Sequence, residues 1–412
     1  MLHQGSSWIC CQLGAREHYA IPRSLHQSGQ LSLLITDAWV PPQSRWNSLP
    51  RPLLSSLRER FHADLAAAPV QAFTGSLVRF ELAHRWRKTA AWERIMARNQ
   101  WFQARAGQQL AQYAANLAAA SHPPTLFAYS YAALDLFRDA KRRGWRTVLG
   151  QIDPGPVEAQ IVAQEQATHP QLARHWQPAP PAYWQSWQEE WALADRILVN
   201  SSWSKQAMQQ AGISPDKIDI VPLAYTPPET RDSKHRTYPV AFSRARPLRV
   251  LFLGQVVLRK GIAALLEAAE RLRDDPIEFW IVGASEITPA AQISEQIHWL
   301  GPIARSETVR YYQQADVFLF PTLSDGFGLT QLEAQAQKLP LIVSRYCGEV
   351  VKDRVNGLIL SEVSGAAIAA ALRFCLTHPH QLKTFSQQAI DPDSFNLTRL
   401  QAHLHRLSYA NV

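Results

Sequence analysis

The sequence predicts an α/β protein of two domains, each built on a parallel sheet. Short all-apolar runs alternate with longer stretches of helical composition, as in parallel βα units. Several of these runs end at a glycine, and the ends of parallel strands are where such sheets usually hold ligands. A chain of 412 residues is also too long for one ordinary core, which favours two domains.

Composition indicates a globular protein with an anionic partner. The chain is 46% hydrophobic and 18% charged, and its net charge is +8 with a pI near 9.4. Such a charge suits a nucleotide, a phospholipid surface or a nucleic acid, but no nucleic-acid motif accompanies it, so we expect no nucleic-acid partner. No apolar run approaches the roughly 18 to 20 residues that span a bilayer, and residues 1–14 do not resemble a secretion signal. We therefore expect a cytoplasmic protein.

Cysteines and acidic residues give no sign of a metal site. Cys10, Cys11, Cys347 and Cys375 show no CxxC spacing, and the adjacent pair lies in an apolar run typical of buried free thiols. The D-x-D sequence at 391–393 has a proline between its aspartates, which favours a turn. We expect no metal and no cofactor.

The first half begins as a strand-loop-helix-strand unit. Strands are predicted at 8–12, 31–36, 126–131, 147–152, 196–200 and 218–222, with a helix over 15–25. Gly14 follows the first strand, where it either lets a ligand approach the backbone or simply forms a turn. Asp153 lies in an Asp-Pro-Gly-Pro turn after a later strand, where it either forms the turn or contacts an acceptor.

Residues 85–105 interleave arginines with tryptophans. A basic helix rich in tryptophan can lie on an anionic membrane surface. Alternatively, its tryptophans pack inward and its charges face solvent. The sequence leaves both possibilities open.

The second half repeats the pattern of strand followed by glycine. Strands are predicted at 248–253, 279–282, 297–300, 317–320 and 341–344, after a polar linker at 227–247. Arg259 and Lys260 precede a helix that starts at Ile262, where each cation opposes the helix dipole by about 0.3–1 kcal/mol. An anion bound between these cations and the helix would make their position favourable. Lys260 is therefore either a phosphate ligand or a solvated loop residue.

Residues 317–333 carry the strongest signal for a ligand site. A buried strand ends at Pro321, a turn with Gly326 and Gly328 follows, and a helix begins at Leu329 with free amides facing the loop. Asp325 and Glu333 bracket this anion site and suit a sugar diol. Their alternatives are an ordinary turn for the aspartate and a capping box, Thr330-x-x-Glu333, for the glutamate.

Taken together, these motifs resemble family-four retaining glycosyltransferases. The resemblance rests on Leu253-Gly254, Arg259-Lys260-Gly261 and the run at 315–344, with looser matches at 12–18 and 200–205. It implies the GT-B fold, in which two Rossmann-like domains with parallel sheets face each other across a cleft. The implied domains are 1–226 on the acceptor side, with the helix at 396–412 packing back on it, and 248–395 on the nucleotide-sugar side.

The resemblance also implies a role for each matched residue. Glu333 would hold the donor ribose, Asp325 would face the transferred sugar, and Lys260 would neutralise the leaving diphosphate, with help from Arg259. Backbone amides at Gly326, Phe327, Gly328 and Leu329 would contact sugar and diphosphate, Gly14 would approach the donor, and Asp153 would lie on the acceptor side. Gln255 stands where the family has a second diphosphate-binding arginine.

The implied reaction is transfer of a hexose from a UDP-, GDP- or ADP-sugar to an acceptor hydroxyl, with retention and without a metal. The acceptor class is a sugar, glycan or lipid-linked molecule, and an anionic membrane surface on the cytoplasmic side is a further candidate partner. Two alternatives remain: a sugar-nucleotide epimerase of the same architecture, or a catalytically silent nucleotide-sugar-binding protein, which Gln255 and Asp325 favour.

Overall fold

The computed structural model describes residues 7–48, 57, 59–87, 89–117, 122–227, 236–288 and 294–409. These residues form two parallel sheets, one of seven strands and one of six. Each sheet is flanked by helices, which bury the central strands such as β1, β4 and β11 on both faces. The predicted α/β class with two parallel sheets is confirmed.

The first sheet has the strand order β3-β2-β1-β4-β5-β6-β7. Its strands are β1 (Trp8–Gln12), β2 (Leu31–Thr36), β3 (Val70–Ala72), β4 (Thr125–Tyr129), β5 (Arg146–Gly150), β6 (Arg196–Val199) and β7 (Ile218–Ile220). Its helices are α1 (Ala20–Gln27), α2 (Thr74–Trp86), α3 (Ala91–Ala115), α4 (Leu134–Arg142), α5 (Gly155–Thr168), α6 (Pro181–Leu193) and α7 (Ser202–Gln210).

The second sheet has the order β10-β9-β8-β11-β12-β13. Its strands are β8 (Leu248–Leu253), β9 (Ile277–Val282), β10 (Ile297–Gly301), β11 (Val317–Phe320), β12 (Leu341–Val343) and β13 (Gly357–Ile359). Its helices are α8 (Ile262–Arg271), α9 (Thr308–Gln314), α10 (Leu329–Ala336), α11 (Gly365–Thr377) and α12 (Pro379–Gln387), and α13 (Leu397–Tyr409) follows them in the chain.

Segments of each half pack into the core of the other half. Leu172 and Ala173, which follow α5, belong to the apolar core of the second half, and the Thr288 amide donates to the Leu172 carbonyl at 2.9 Å. In the other direction, Leu400 and Leu404 of α13 are buried in the core beneath β1 and α1. The predicted domain limits and the linker at 227–247, part of which lies outside the described residues, stay a prediction.

The predicted helix at 15–25 begins later than the sequence indicated. Glu17, His18 and Tyr19 have φ values of 51°, 50° and 61°, so they lie in the left-handed region, and α1 starts only at Ala20. Such a conformation is rare for residues with a side chain, and it keeps the chain after Gly14 out of the helix. The loop between β1 and α1 therefore extends toward the second domain.

Candidate active site

Gly261 fixes the loop after β8 against the loop after β11. Its φ is +72°, and a Cβ atom at this position would lie 1.9 Å from the Pro321 carbonyl oxygen. Only glycine combines that conformation with that approach. The preceding turn, Leu258–Lys260, is thereby held beside the turn that carries Asp325.

Lys260 and Asp325 form an ion pair at the centre of the site. The two side chains are in direct contact, and the Lys260 Nζ lies 4.8 Å from the centre of the Phe320 ring. Arg259 lies 3.6 Å from the same carboxylate and donates to the Ser324 carbonyl at 3.0 Å. Burial acts to raise the pKa of Asp325, but the charges of Lys260 and Arg259 together bring it below its ordinary value.

The glycine turn presents backbone amides at the start of α10. Gly328 has a φ of +86° and lies against Phe320 so closely that a Cβ would clash with the ring. Within the described residues, the amides of Gly326, Gly328 and Leu329 donate to no acceptor, so they are available to an anion. The Phe327 amide instead donates to Asp325 Oδ1 at 3.2 Å, and the side chains of Phe327 and Leu329 pack in an apolar cluster.

Glu333 lies one turn into α10 and is partly buried. Its Oε2 accepts a hydrogen bond of 2.8 Å from the buried Tyr312 hydroxyl, which orients the carboxylate. The capping-box alternative for this residue is wrong, because the N-cap is Gly328 and no side chain caps the helix. The other carboxylate oxygen remains available for a diol.

Asp153 lies across the cleft from the glycine turn. Its Oδ1 accepts hydrogen bonds from the Tyr131 hydroxyl at 2.6 Å and from the Gly155 amide at 2.9 Å. The backbone around it contacts the opposite domain, since a Cβ on Gly326 would lie 2.6 Å from the Ile152 carbonyl oxygen. Asp153 therefore combines its turn role with a position beside the candidate sugar site.

The N-terminus of α7 also contacts the glycine turn. Trp203 Nε1 donates to Ser324 Oγ at 3.0 Å, and Ser204 Oγ donates to the Gly326 carbonyl at 3.3 Å. The Ser202 amide donates to Glu349 of the second domain at 2.8 Å. These contacts are what brings the sequence matches at 200–205 and 315–344 together.

Gly14 lies in a loop that faces the second domain farther along the cleft. Its φ is +87°, and its amide donates to the buried carboxylate of Asp37 at 3.0 Å. Farther along the loop, His18 Nδ1 accepts a hydrogen bond of 3.0 Å from Arg305 of the second domain. Burial first, and then the Arg305 charge, lower the pKa of His18 from 6.5 to about 4, so the imidazole is neutral.

Gln255 lines a cavity at the domain junction. The cavity has a volume of about 480 Å³ and is bordered by Trp176 of the first half and by Arg259 and Glu286 of the second. Gln255 is exposed, so it offers an amide and no charge where the family has an arginine. Arg259 is the cation nearest to that position along the loop.

Sequence reasoning missed Glu158, which joins the site from α5. Its Oε1 lies 3.4 Å from Arg259 Nε of the other domain, and its Oε2 is buried without a hydrogen-bond partner among the described residues. Burial, opposed by Arg259 and reinforced by Asp153 and Asp325, raises the pKa of Glu158 from 4.5 to about 8. Its only sequence signal was a carboxylate two residues after the Asp-Pro-Gly-Pro turn, which no local pattern connects with Arg259.

The described residues give no candidate metal centre. They contain no group of three or more His, Cys, Asp or Glu side chains that could hold a metal ion. Asp391 caps a short turn by accepting from the Asp393 amide at 3.0 Å, as the proline between them predicted. All four cysteines are free and buried.

The basic, tryptophan-rich segment at 85–105 runs from the end of α2 into α3 and includes the corner between them. Trp86 is 94% exposed, whereas Trp101 packs inward against Phe73. Leu82 and Ile95 are also exposed, at 45% and 41%. None of the helices in the described part of the chain has both the length and the apolar surface to cross a membrane.

Two parallel-sheet domains that meet at the ends of their strands define the GT-B fold. The chain aligns over 98% of its length, and over 100% of the other chain, with HepE from Anabaena in complex with UDP, at 13% identity and a TM-score of 0.60. It aligns over 97%, and 98% of the other chain, with sucrose-phosphate synthase from Thermosynechococcus elongatus, at 17% identity and a TM-score of 0.61. At these identities the likeness shows the fold alone.

Residues 247–378 match the family described as glycosyl transferases group 1. D-inositol 3-phosphate glycosyltransferase of Geodermatophilus obscurus is 29% identical over 45% of this chain and 46% of its own length. The amylovoran biosynthesis glycosyltransferase AmsK of Erwinia amylovora is 25% identical over 43% of each. The chain spans about half the length of these curated relatives. Together with the fold, these matches confirm the resemblance to family-four glycosyltransferases of the GT-B fold.

Proposed function

We propose that the protein transfers a hexose from a nucleoside diphosphate sugar to an acceptor hydroxyl, with retention and without a required metal. The observation that carries this proposal is the geometry at the start of α10. Free amides at Gly328 and Leu329 and the Glu333 carboxylate lie within the first turns of α10, and the Lys260 ammonium reaches this site from the adjacent loop after β8, opposite Asp153. Hydrogen-bond donors that are already in place where negative charge develops usually lower the barrier of a transfer reaction more than any other single effect.

In this proposal each residue has a defined task. Lys260 leaves Asp325 and neutralises the departing diphosphate, with Arg259 beside it, while α10 contributes its amides and dipole. Asp325 then accepts from a hydroxyl of the transferred sugar. Glu333, held by Tyr312, accepts from the ribose diol. No residue is assigned as a covalent nucleophile, and the leaving phosphate takes the acceptor's proton on the same face.

UDP-glucose is the first donor to test, followed by GDP- and ADP-sugars. HepE, which shares the fold, has been solved with UDP and with UDP-glucose. A tightly bound donor raises the melting temperature by mass action, so a thermal-shift panel of UDP-, GDP- and ADP-sugars identifies the base.

A catalytically silent binding protein is the second candidate, because Lys260 is paired with Asp325 and Gln255 supplies no charge. Incubating the labelled donor with and without cell-derived acceptors separates the possibilities. Transfer only with acceptor is the expected result. Conversion of the donor alone would indicate an epimerase, and binding without either reaction would indicate a silent protein.

We also propose that the corner between α2 and α3 rests on an anionic membrane surface. Trp86 and Leu82 are exposed beside the basic side chains of Arg85 and Arg87, a combination suited to the interface of anionic lipids. Sedimentation with vesicles rich in phosphatidylserine should capture the protein, and Trp86→Ser with Leu82→Ser should release it. Val240→Ser, at an equally exposed site elsewhere, is the matched control. Equal capture of all variants would contradict the proposal.

A further inference from the structure

Arg259 lies between two carboxylates, one from each domain. On its own domain it lies 3.6 Å from Asp325, and from the opposite domain Glu158 approaches its Nε to 3.4 Å. These side chains are shielded from solvent, with exposed fractions of 25% for Arg259 and 15% for Glu158. An ion pair in such a place is screened little by salt, so Glu158 can compete with other anions for the Arg259 guanidinium.

Glu158 is only partly satisfied by this contact. Its Oε2 is buried and has no hydrogen-bond partner, which is costly for an ionised carboxylate. Asp153 and Asp325 are its acidic neighbours, Arg259 is its cationic neighbour, and Ser324 supplies a hydroxyl. The other cation near this group, Lys260, is engaged by Asp325. On the packed helix α7, Lys205 points away and donates to the Ile218 carbonyl at 3.3 Å.

We propose that Glu158 competes with the donor's diphosphate for Arg259, so that a carboxyl group on the acceptor-side domain controls donor affinity across the cleft. This inference rests on the proposed function, because it takes the diphosphate to bind beside Lys260. When Glu158 is ionised, it holds Arg259 and adds a negative charge near the diphosphate. When Glu158 is protonated, Arg259 is released to the donor and the repulsion is removed.

The pH dependence of donor binding follows from this competition. Burial, the largest influence, places the pKa of Glu158 at about 8, and a bound diphosphate raises it further by repulsion. Below that pH the carboxyl is protonated with or without donor, so affinity is constant. Above it, binding must take up one proton, and affinity falls with rising pH by at most about tenfold per unit.

The test measures UDP-glucose affinity by calorimetry from pH 6.5 to 9.5 for the full-length wild type and for Glu158→Gln. We expect the wild-type Kd to rise as much as about tenfold from pH 8 to pH 9. Because glutamine resembles the protonated acid, the variant should keep the low-pH affinity of the wild type throughout. Glu165→Gln is the matched control, since Glu165 lies two turns along the same helix beside His169 and should retain the wild-type profile.

Two outcomes would overturn the inference while leaving the proposed function intact. One is the same pH profile in wild type and Glu158→Gln, and the other is weaker binding by the variant at every pH, as expected of a direct donor ligand. Absence of binding to any nucleotide sugar would instead defeat the proposed function.

If no nucleotide sugar binds, the ionisation of Glu158 can still be tested by measuring stability against pH without a ligand. Since its folded pKa exceeds 4.5, the contribution of Glu158 to stability should fall as pH rises from about 5 to 8, so the stability of the wild type relative to Glu158→Gln should fall over this range. Identical stability profiles for the two proteins would contradict an ionisable, cleft-facing Glu158.

Discussion

The two domains place different kinds of loop after corresponding strands. After β8, the loop ends at Gly261, which no other residue could replace without a clash, and it carries two cations. After β1, the loop holds three consecutive residues with side chains, Glu17, His18 and Tyr19, in the left-handed region. The first arrangement fixes a charge in one place, whereas the second stores backbone strain where the domains meet. In the proposed function, the constrained loop of the second domain would hold the diphosphate, and the strained loop of the first domain would face it.

The largest expected effect comes from removing a cation from the loop after β8. Lys260→Met should lower kcat by about 10²- to 10³-fold, the usual cost of removing one preorganised donor to developing charge. Steady-state kinetics, with the donor that the thermal-shift panel identifies, measures this change in kcat. Lys383→Met, at an exposed lysine on α12, should leave kcat unchanged. A fully active Lys260→Met protein would remove the lysine from the mechanism.

The rigidity of the loop after β8 is tested by adding one methyl group. Gly261→Ala should lower the free energy of unfolding by about 3 kcal/mol, because a left-handed alanine is strained and its Cβ meets the Pro321 carbonyl. Gly29→Ala has a similar φ of +68° but open space, so it should cost only about 1 kcal/mol. Gly14→Ala, which meets the movable Arg60 side chain, should fall between them. Urea unfolding gives all three values, and equal losses would show that the contact with Pro321 is unimportant.

Removal of the carboxylate proposed to bind the ribose should weaken donor binding more than it lowers kcat. Glu333→Ala should raise the donor Kd by about 10- to 100-fold, the usual range for a hydrogen bond to a charged group. Tyr312→Phe removes only the hydroxyl that orients this carboxylate, so its effect should have the same direction and be smaller. If Glu333→Ala left the Kd unchanged, the ribose would lie elsewhere.

The smallest expected effect concerns the first-domain loop. The folded pKa of His18, about 4, lies below its ordinary 6.5, so the folded state binds the proton less tightly than the unfolded state. His18 should therefore lower the stability as pH falls from 6.5 to 4 and contribute nothing above 6.5. His18→Gln should remove that part of the decrease in melting temperature, whereas His298→Gln, at an exposed site, should not. An unchanged slope in His18→Gln would show that the imidazole titrates freely.

Local patterns predicted most of the fold. Buried strands such as β8 and β11 begin and end where their apolar runs do, because a fully buried strand needs a continuous run. β3 went unpredicted, since its three residues Val70–Ala72 are half exposed or exposed and lack such a run. β13 was not predicted as a strand either, and it too has three residues. Short edge strands depend on their neighbours more than on their own sequence.

The family resemblance implied one site for Lys260, Asp325 and Glu333, with Gly14 and Asp153 facing it. The structure brings Lys260 and Asp325 into contact because their loops follow neighbouring parallel strands, β8 and β11. Nothing in the sequence indicated Glu158 beside Arg259, Trp203 beside Ser324 or Arg305 beside His18. Each of these pairs joins residues from different domains, and no periodicity or spacing along the chain encodes such a contact.

The central claim is that the second domain holds a diphosphate between Lys260 and the start of α10. A crystal structure with bound UDP tests it most directly. We expect the diphosphate within hydrogen-bond distance of the Lys260 ammonium and the Gly328 and Leu329 amides, the ribose on Glu333, and the Lys260–Asp325 contact broken. UDP bound elsewhere, with that ion pair intact and the amides unoccupied, would contradict the account.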